Sequence, residues 1–303
     1  MGMQNSMDSL WQCGAVTVHL GEKSGKYPEG NQVLVSSAHM RVAFDTPLVA
    51  NRIGADFDSV DLVILGHVHE DHMAGLHRVP QAKVQVHEAD LAAAQSWDGL
   101  AKHYGYTEPV LQALKAKIER EFHYTPRPDA TAYLDGHVWD LGGGVRIRAQ
   151  HLPGHTSGHC ALVIEREGVA FIGDIDLTSF GPYYGDATSS LSAFRQTLED
   201  VKQLEATTWI TSHHRGVLTD RETFLSHLAR YTAKVDERRQ RLLSMLSTGP
   251  RTLASLVQER LIYPPGYEEV YIESAEQRSI QMHLDELITD GDAREVEPGV
   301  FAL

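Results

Sequence analysis

The chain has 303 residues, 42% of them hydrophobic, and a formal net charge of −14 from 41 acidic against 27 basic side chains. That length exceeds one average domain, so two domains are expected, and the acidic balance disfavours a long polyanion as partner, because neutralisation of phosphates by Lys and Arg dominates nucleic-acid affinity. No run of about eighteen apolar residues offers a membrane span, residues 1–9 lack the basic-then-apolar order of a secretory signal, and Cys13 and Cys160 can form at most one bridge; a cytoplasmic protein without a disulfide framework is expected.

In chain order, alternating residues predict strands over 15–35 and 42–49, the latter containing Asp45. The apolar run 61–66 predicts a short buried strand, and directly after it stand His67-Val68-His69-Glu70-Asp71-His72, with a helix predicted from about Met73. Side chains on a loop at a strand end can converge on one point. Neutral imidazoles suit zinc or iron, and a carboxylate one residue before a histidine can serve a second cation close by. A six-residue loop cannot complete such a site alone, so donors are sought at other predicted strand ends. Three positions qualify: His155, after Pro153-Gly154 ends the strand 145–149; Asp174, at the end of 169–172, with Asp176 as a rival; and His213 or His214, after Trp209-Ile210.

Between these positions, 84–87 is a further predicted strand whose His87 takes a capping or surface role, and residues 91–129 form a helical insertion closed by Pro126-Arg127-Pro128. The aromatic residues of that insertion, among them Trp97, Tyr104, Tyr106 and Phe122, either roof the site or pack on the sheet. Strands are predicted over 133–139 and 145–149, around Gly142-Gly143-Gly144, and a hairpin over 161–165 and 169–172. The loop 174–185 follows, where Phe180, Tyr183 and Tyr184 are candidate substrate contacts, a tyrosine hydroxyl being able to donate to an oxyanion. From about 221 a continuous helix is predicted, then two short helices around Leu242 to Leu246 and Leu253 to Val257, a third over 275–288, and a terminal hairpin at 293–296 and 300–302, which is the order of a winged helix. The glycine run 142–144 lacks the Lys-Ser/Thr of a phosphate loop, and the histidines beside Ser157 are better used by metal than by a serine nucleophile.

The HxHxDH run at 67–72, followed in order by His155, Asp174 and His213, resembles the metallo-beta-lactamase superfamily of metallohydrolases over about residues 14–220. The resemblance implies an α/β fold, a four-layer αβ/βα sandwich formed by residues 1–220 with the helical insertion at about 91–129, followed by a helical, winged-helix domain at 221–303. It also implies two divalent metal ions, zinc first and iron or manganese as alternatives. On that pattern His67, His69 and His155 bind one ion, Asp71, His72 and the last histidine the other, and Asp174 bridges them; Ser212-His213 aligns better than His214. Asp45 matches a strand-end aspartate that supports a ligand, and His159 is expected behind the metals, orienting a ligand. Two cations a few ångströms apart bring the pKa of a shared water toward neutrality, giving a hydroxide that Asp71 would direct, so hydrolysis is the expected reaction.

The tail resembles the C-terminal winged-helix domain of the lactamase-beta-like-2 subgroup, one member of which is an endoribonuclease. Here, however, residues 221–303 carry 14 Asp and Glu against 10 Lys and Arg. The expected function is therefore hydrolysis of a small ester, a thioester above all, by resemblance to hydroxyacylglutathione hydrolases; the alternative is a metal-dependent endoribonuclease. A small-molecule substrate is expected, with nucleic acid disfavoured, no membrane, and a tail that is structural or forms a homodimer.

Overall fold

The computed structural model describes residues 10–303; residues 1–9, the segment considered for a secretory signal, lie outside the described residues. Short apolar runs build two large sheets. The first contains β1 (Leu10–Cys13), β2 (Val16–His19), β3 (Gln32–Ser36), β4 (Arg41–Phe44), β5 (Leu62–Leu65), β6 (Lys83–His87) and β7 (Thr131–Tyr133) as neighbours in chain order. Pairing is antiparallel from β1 to β4 and parallel from β4 to β7. The second sheet runs β13-β12-β11-β10-β9-β8, from β8 (Val138–Asp140), β9 (Arg146–His151), β10 (Cys160–Ile164), β11 (Val169–Phe171), β12 (Thr208–Ile210) and β13 (Val217–Leu218).

Successive side chains of a strand point to opposite faces, and here both faces are covered. Leu62 and Ile64 enter the core between the sheets with Ile147 and Leu162. Val63 and Leu65 face the other way, beneath the insertion helices Leu91–Gln95, Trp97–Tyr104 and Glu108–Glu121. On the second sheet, Val163 and Trp209 pack under helices Leu191–Asp200 and Arg221–Leu246, with Trp209 stacked on Phe224 at 4.2 Å and 5°. The result is a helix, sheet, sheet, helix sandwich. Each buried Leu, Ile or Phe contributes roughly 1.5–3 kcal/mol, which holds the strand ends in a fixed frame.

Within residues 10–220 the strands and helices depart from the sequence expectations in several places. The single strand expected over 133–139 is two: Tyr133 ends β7 in the first sheet, Trp139 lies in β8 of the second, and the chain crosses at Gly136, φ +73°. The Tyr133 hydroxyl, donating to the Leu65 carbonyl at 2.8 Å, fixes one side of that crossing. No long helix starts at Met73; two 3-10 turns, Glu70–His72 and Leu76–Arg78, let Met73, Ala74 and Leu76 fill the first core instead. β4 stops at Phe44, and Pro47 leads into a 3-10 turn, Leu48–Arg52. Helix Leu191–Asp200, capped by the Ser190 hydroxyl, has no counterpart in the sequence reading.

After residue 220, helix Arg221–Leu246 runs unbroken through the leucines expected to start a separate helix. Then come β14 (Arg251–Thr252), helix Leu253–Glu259, helix Ile272–Asp290, β15 (Arg294–Glu297) and β16 (Val300–Ala302), the strands ordered β14-β16-β15 over a core that includes Leu242, Leu256, Leu284 and Phe301. Cys13 and Cys160 are free thiols. Among the described residues no helix is long and apolar enough to cross a membrane.

Candidate metal centre

Four strand ends open on one point. β5 leads through Gly66 to His67, β9 through Leu152-Pro153-Gly154 to His155, β11 through Gly173 to Asp174, and β12 through Thr211 to His213. Two of these turns admit only glycine. At Gly154, φ +129°, a Cβ would come within 2.4 Å of the Phe194 backbone, and at Gly173, φ +56°, within 2.5 Å of His159 Nε2.

All seven expected donors are brought together. The ligand atoms of His67, His69, His155 and Asp174 lie within 4.8 Å of one another, and so do those of Asp71, His72 and His213. Asp174 reaches both groups, with Oδ2 3.3 Å from His155 Nε2 and Oδ1 3.1 Å from His72 Nε2. Asp71 Oδ2 lies 3.0 Å from His213 Nε2. His214, at φ +61°, belongs to neither group and only lines the adjoining cavity. Asp176 comes within 4.8 Å of Asp174 and His213, but its Oδ1 accepts from the His213 backbone N–H at 3.0 Å and so secures that turn.

Four of the five imidazoles, all but His67, are aimed by a bond on the far side, which fixes both tautomer and ring orientation. His72 Nδ1–H donates to Asp45 Oδ2 at 2.8 Å, His213 Nδ1–H to the Gly25 carbonyl at 2.9 Å, and His155 Nδ1–H to the Tyr183 carbonyl at 3.0 Å, so all three present Nε2. His69 is reversed: Nε2–H donates to Asp186 Oδ2 at 2.8 Å, leaving Nδ1 facing His155 Nε2 at 3.1 Å. Asp45 holds a left-handed φ of +52°, a conformation that costs on the order of 1–3 kcal/mol, and its Oδ1 accepts from Gly66 N–H at 2.7 Å. His159 stands behind Asp174. Its Nδ1–H donates to the Leu152 carbonyl and its Nε2 accepts the Asp174 backbone N–H at 3.2 Å, a role that needs a neutral ring; burial, with His155 beside it, lowers its pKa to about 3.

The donor set fits cations. His67 is wholly buried, yet neither ring nitrogen has a hydrogen-bond partner, and His72 Nε2 and Asp174 Oδ1 are likewise unpaired. An unpaired buried polar atom costs about 1–3 kcal/mol, so His67 Nε2 and His72 Nε2, 3.8 and 3.1 Å from the Asp174 carboxylate, mark with it a place built for a ligand. Charge agrees. Burial would lower the His213 pKa, but Asp176, Asp174 and Asp71 carry it to about 10, and His69 rises to about 9 because Asp186 outweighs burial. The carboxylates demand positive charge, which divalent cations supply.

Above the donors lies a cavity of about 360 Å³ with tyrosine walls. Tyr27 and Tyr104, the latter from the insertion, donate to Glu70 at 3.0 and 2.5 Å. Tyr106 and Tyr183 both donate to Asp186. Tyr183 therefore lines the cavity as expected, with its hydroxyl held by protein. Tyr184 is a correction: only 1% exposed and absent from the cavity lining, it points into the core and bonds His283 Nε2 and an Arg238 N–H at 2.9 Å each, because its neighbour takes the cavity side of the loop. Phe180 lines the cavity. Of the other insertion aromatics, Trp97, Phe122 and Tyr124 pack in the first core.

Two buried carboxylates escaped the sequence reading. Asp186 follows no motif and meets His69 across 117 residues. Asp90 accepts from Val68 N–H, Gly158 N–H and the Thr156 hydroxyl, tying the His155 turn to the His67 loop. His87 does cap its turn, accepting from Ala89 N–H.

A family model described as metallo-beta-lactamase superfamily matches residues 36–213. A metallo-beta-lactamase fold-containing protein of Sulfurisphaera tokodaii is 27% identical over 220 residues, which is 69% of this chain and 81% of its own length. Atrochrysone carboxyl ACP thioesterases of Pseudocercospora fijiensis and Aspergillus novofumigatus are 24% and 27% identical, over 65% and 66% of this chain; the chain spans only 57% and 54% of their lengths. The crystal structure of a metallo-beta-lactamase family protein from Thermus thermophilus superposes with a TM-score of 0.69 at 22% identity, covering 95% of this chain and 98% of that one. A beta-lactamase domain protein from Burkholderia ambifaria gives 0.68 at 16% identity, covering 99% and 96%.

Proposed function

Because this chain belongs to the metallo-beta-lactamase superfamily, we propose that it is a metal-dependent hydrolase of a small ester, a thioester above all, working with two divalent cations, zinc foremost and iron or manganese as alternatives. The observation that carries this reading is the convergence of seven donors, four of whose atoms lack a hydrogen-bond partner, at the floor of a tyrosine-lined cavity. His67, His69 and His155 would hold one cation, Asp71, His72 and His213 the other, and Asp174 both. When bound, such cations act as Lewis acids that lower the pKa of water and neutralise charge developing on a carbonyl oxygen.

The chain's own residues do the rest. Asp71, whose Oδ2 lies 3.0 Å from His213 Nε2 and would share its cation, offers its other oxygen to the attacking water, fixing the line of attack. Asp45, Asp186 and the Gly25 and Tyr183 carbonyls keep His72, His69, His213 and His155 in the tautomer that presents the free nitrogen. The tyrosine walls replace part of the water around the donors with ring surface, which strengthens the electrostatic contacts beneath them.

The thioester reading draws support from the two fungal thioesterases among the relatives. Against the endoribonuclease alternative stands the lining itself: Lys26 is the one Lys or Arg among the described cavity residues, whereas a nucleic-acid strand needs a basic track. Residues 1–220 form the hydrolase domain in this reading. Residues 221–303 form a winged-helix domain that walls the cavity and offers a surface for a homodimer, and the protein works in the cytoplasm on a small molecule. A purified-enzyme screen tests it, with acyl-CoA and acyl-glutathione thioesters beside single-stranded RNA, each with and without chelator. Thioester turnover lost on chelation is the expected result; chelator-sensitive RNA cleavage without thioester turnover would replace it with the ribonuclease reading.

A further inference from the structure

The cavity is stacked as well as apolar. Starting from the donor His69, the rings of Tyr104, Tyr106 and Tyr271 follow one another nearly parallel, at interplanar angles of 9°, 19° and 9° and centroid separations of 5.8, 5.6 and 6.4 Å. Tyr263 meets Tyr271 edge-on at 6.5 Å and 66° and lies parallel to Tyr267 within 1° at 5.7 Å, which continues the row of rings. Glu70 and Asp186 draw the hydroxyls of Tyr104, Tyr106 and Tyr183 into the protein, so these residues offer the cavity ring surface rather than polar tips.

The outer rings come from the C-terminal region, on the irregular stretch 260–271 that a single carboxylate holds in place. Glu276, wholly buried on helix Ile272–Asp290, accepts backbone N–H bonds from Leu261 at 2.8 Å, Ile262 at 2.9 Å and Tyr263 at 2.7 Å. Lys117 on the insertion helix pairs with Glu269 at 2.5 Å, tying the same stretch to the other wall. A purely volume-filling pocket would not need rings held in parallel register by buried carboxylates on both sides.

We infer that this cavity is an acyl site for a planar aromatic or conjugated group, completed by Tyr263, Tyr267 and Tyr271 of the C-terminal region. The inference rests on the thioester reading and names its substrate class. A saturated group of equal carbon count fills the same space but forgoes offset stacking, which adds up to about tenfold in affinity per ring pair beyond area burial.

The test uses the full-length, metal-loaded protein and two matched nine-carbon acids, cinnamate and 3-cyclohexylpropanoate, with their thioesters to one thiol. By calorimetry the wild type binds cinnamate about tenfold more tightly than the saturated acid. Tyr271→Leu weakens cinnamate by about three- to tenfold and the saturated acid by less, while Tyr271→Phe, which keeps the ring, retains the preference. Equal affinity for both acids in the wild type, or equal loss of both in Tyr271→Leu, overturns the aromatic site. The thioester assays separate the two ideas. If neither thioester is hydrolysed while the cinnamate preference holds, the thioester reading fails and the aromatic site stands; if both are hydrolysed without any preference in rate or binding, the reading stands and the site falls.

Discussion

The floor and the wall of the cavity are built on opposite principles. On the floor, donor atoms sit at the ends of strands covered on both faces, and several of them have no partner in the protein. On the wall, the hydroxyls of Tyr27, Tyr104, Tyr106 and Tyr183 are taken by Glu70 or Asp186 and that of Tyr231 by the Asp174 carbonyl, and the outermost rings ride on a stretch without regular structure. The contrast separates two jobs. Unsatisfied polar atoms on a rigid frame are suited to hold cations and do chemistry, whereas satisfied rings carried outside the sheets are suited to select what enters.

Breaking the floor is expected to have the largest effect. Asp71→Asn keeps the shape but removes the charge and a proton acceptor, and kcat measured at saturating metal is expected to drop by about 10²–10⁴, with circular dichroism unchanged. Near-normal turnover in a folded, metal-loaded variant would take Asp71 out of the reaction.

Breaking the wall is expected to cost stability and substrate affinity instead. Glu276→Gln trades a carboxylate that accepts three backbone N–H bonds for an amide with a single acceptor oxygen, and a loss of about 1–3 kcal/mol is expected in urea unfolding. KM is expected to rise while kcat holds. An equal fall in kcat would show that wall and floor are not separable in the way their construction suggests.

The smallest effect concerns the joint between them. His283 lies against Tyr184, and burial, reinforced by Arg238 and Arg195, lowers its pKa from 6.5 to about 3. The folded value is depressed, so between these limits the unfolded chain binds a proton that the folded chain refuses. Stability present above pH 6.5 is thus lost as pH falls toward 3, by about 1 kcal/mol between roughly pH 7 and pH 5.5. Thermal melts should show a shallower pH slope for His283→Gln than for the wild type; equal slopes would mean the joint does not titrate.

Much of the floor was readable from the chain because its signal is local. Four of the seven donors fall within His67 to His72, and His155, Asp174 and His213 each follow an apolar run and a turn. The second wave of contacts was not readable. Asp186 meets His69 and Asp90 meets Thr156 only after the sheets have paired, and nothing in their neighbours marks them. Tyr183 and Tyr184 look equivalent in sequence, yet one faces the cavity and the other the core. Likewise the run 133–139 reads as one strand, since hydrophobic spacing does not record that Tyr133 and Trp139 belong to different sheets.

By itself the sequence determined the strand runs, the turns that end them and the identity of the donors, because alternation, glycine and metal-ligating side chains act over a few residues. Tertiary structure alone decided which nitrogen each histidine presents, which tyrosine faces the cavity and that the C-terminal region supplies its outer wall. Those choices depend on hydrogen bonds and packing between segments tens to more than a hundred residues apart, and such partners exist only once the layers have closed.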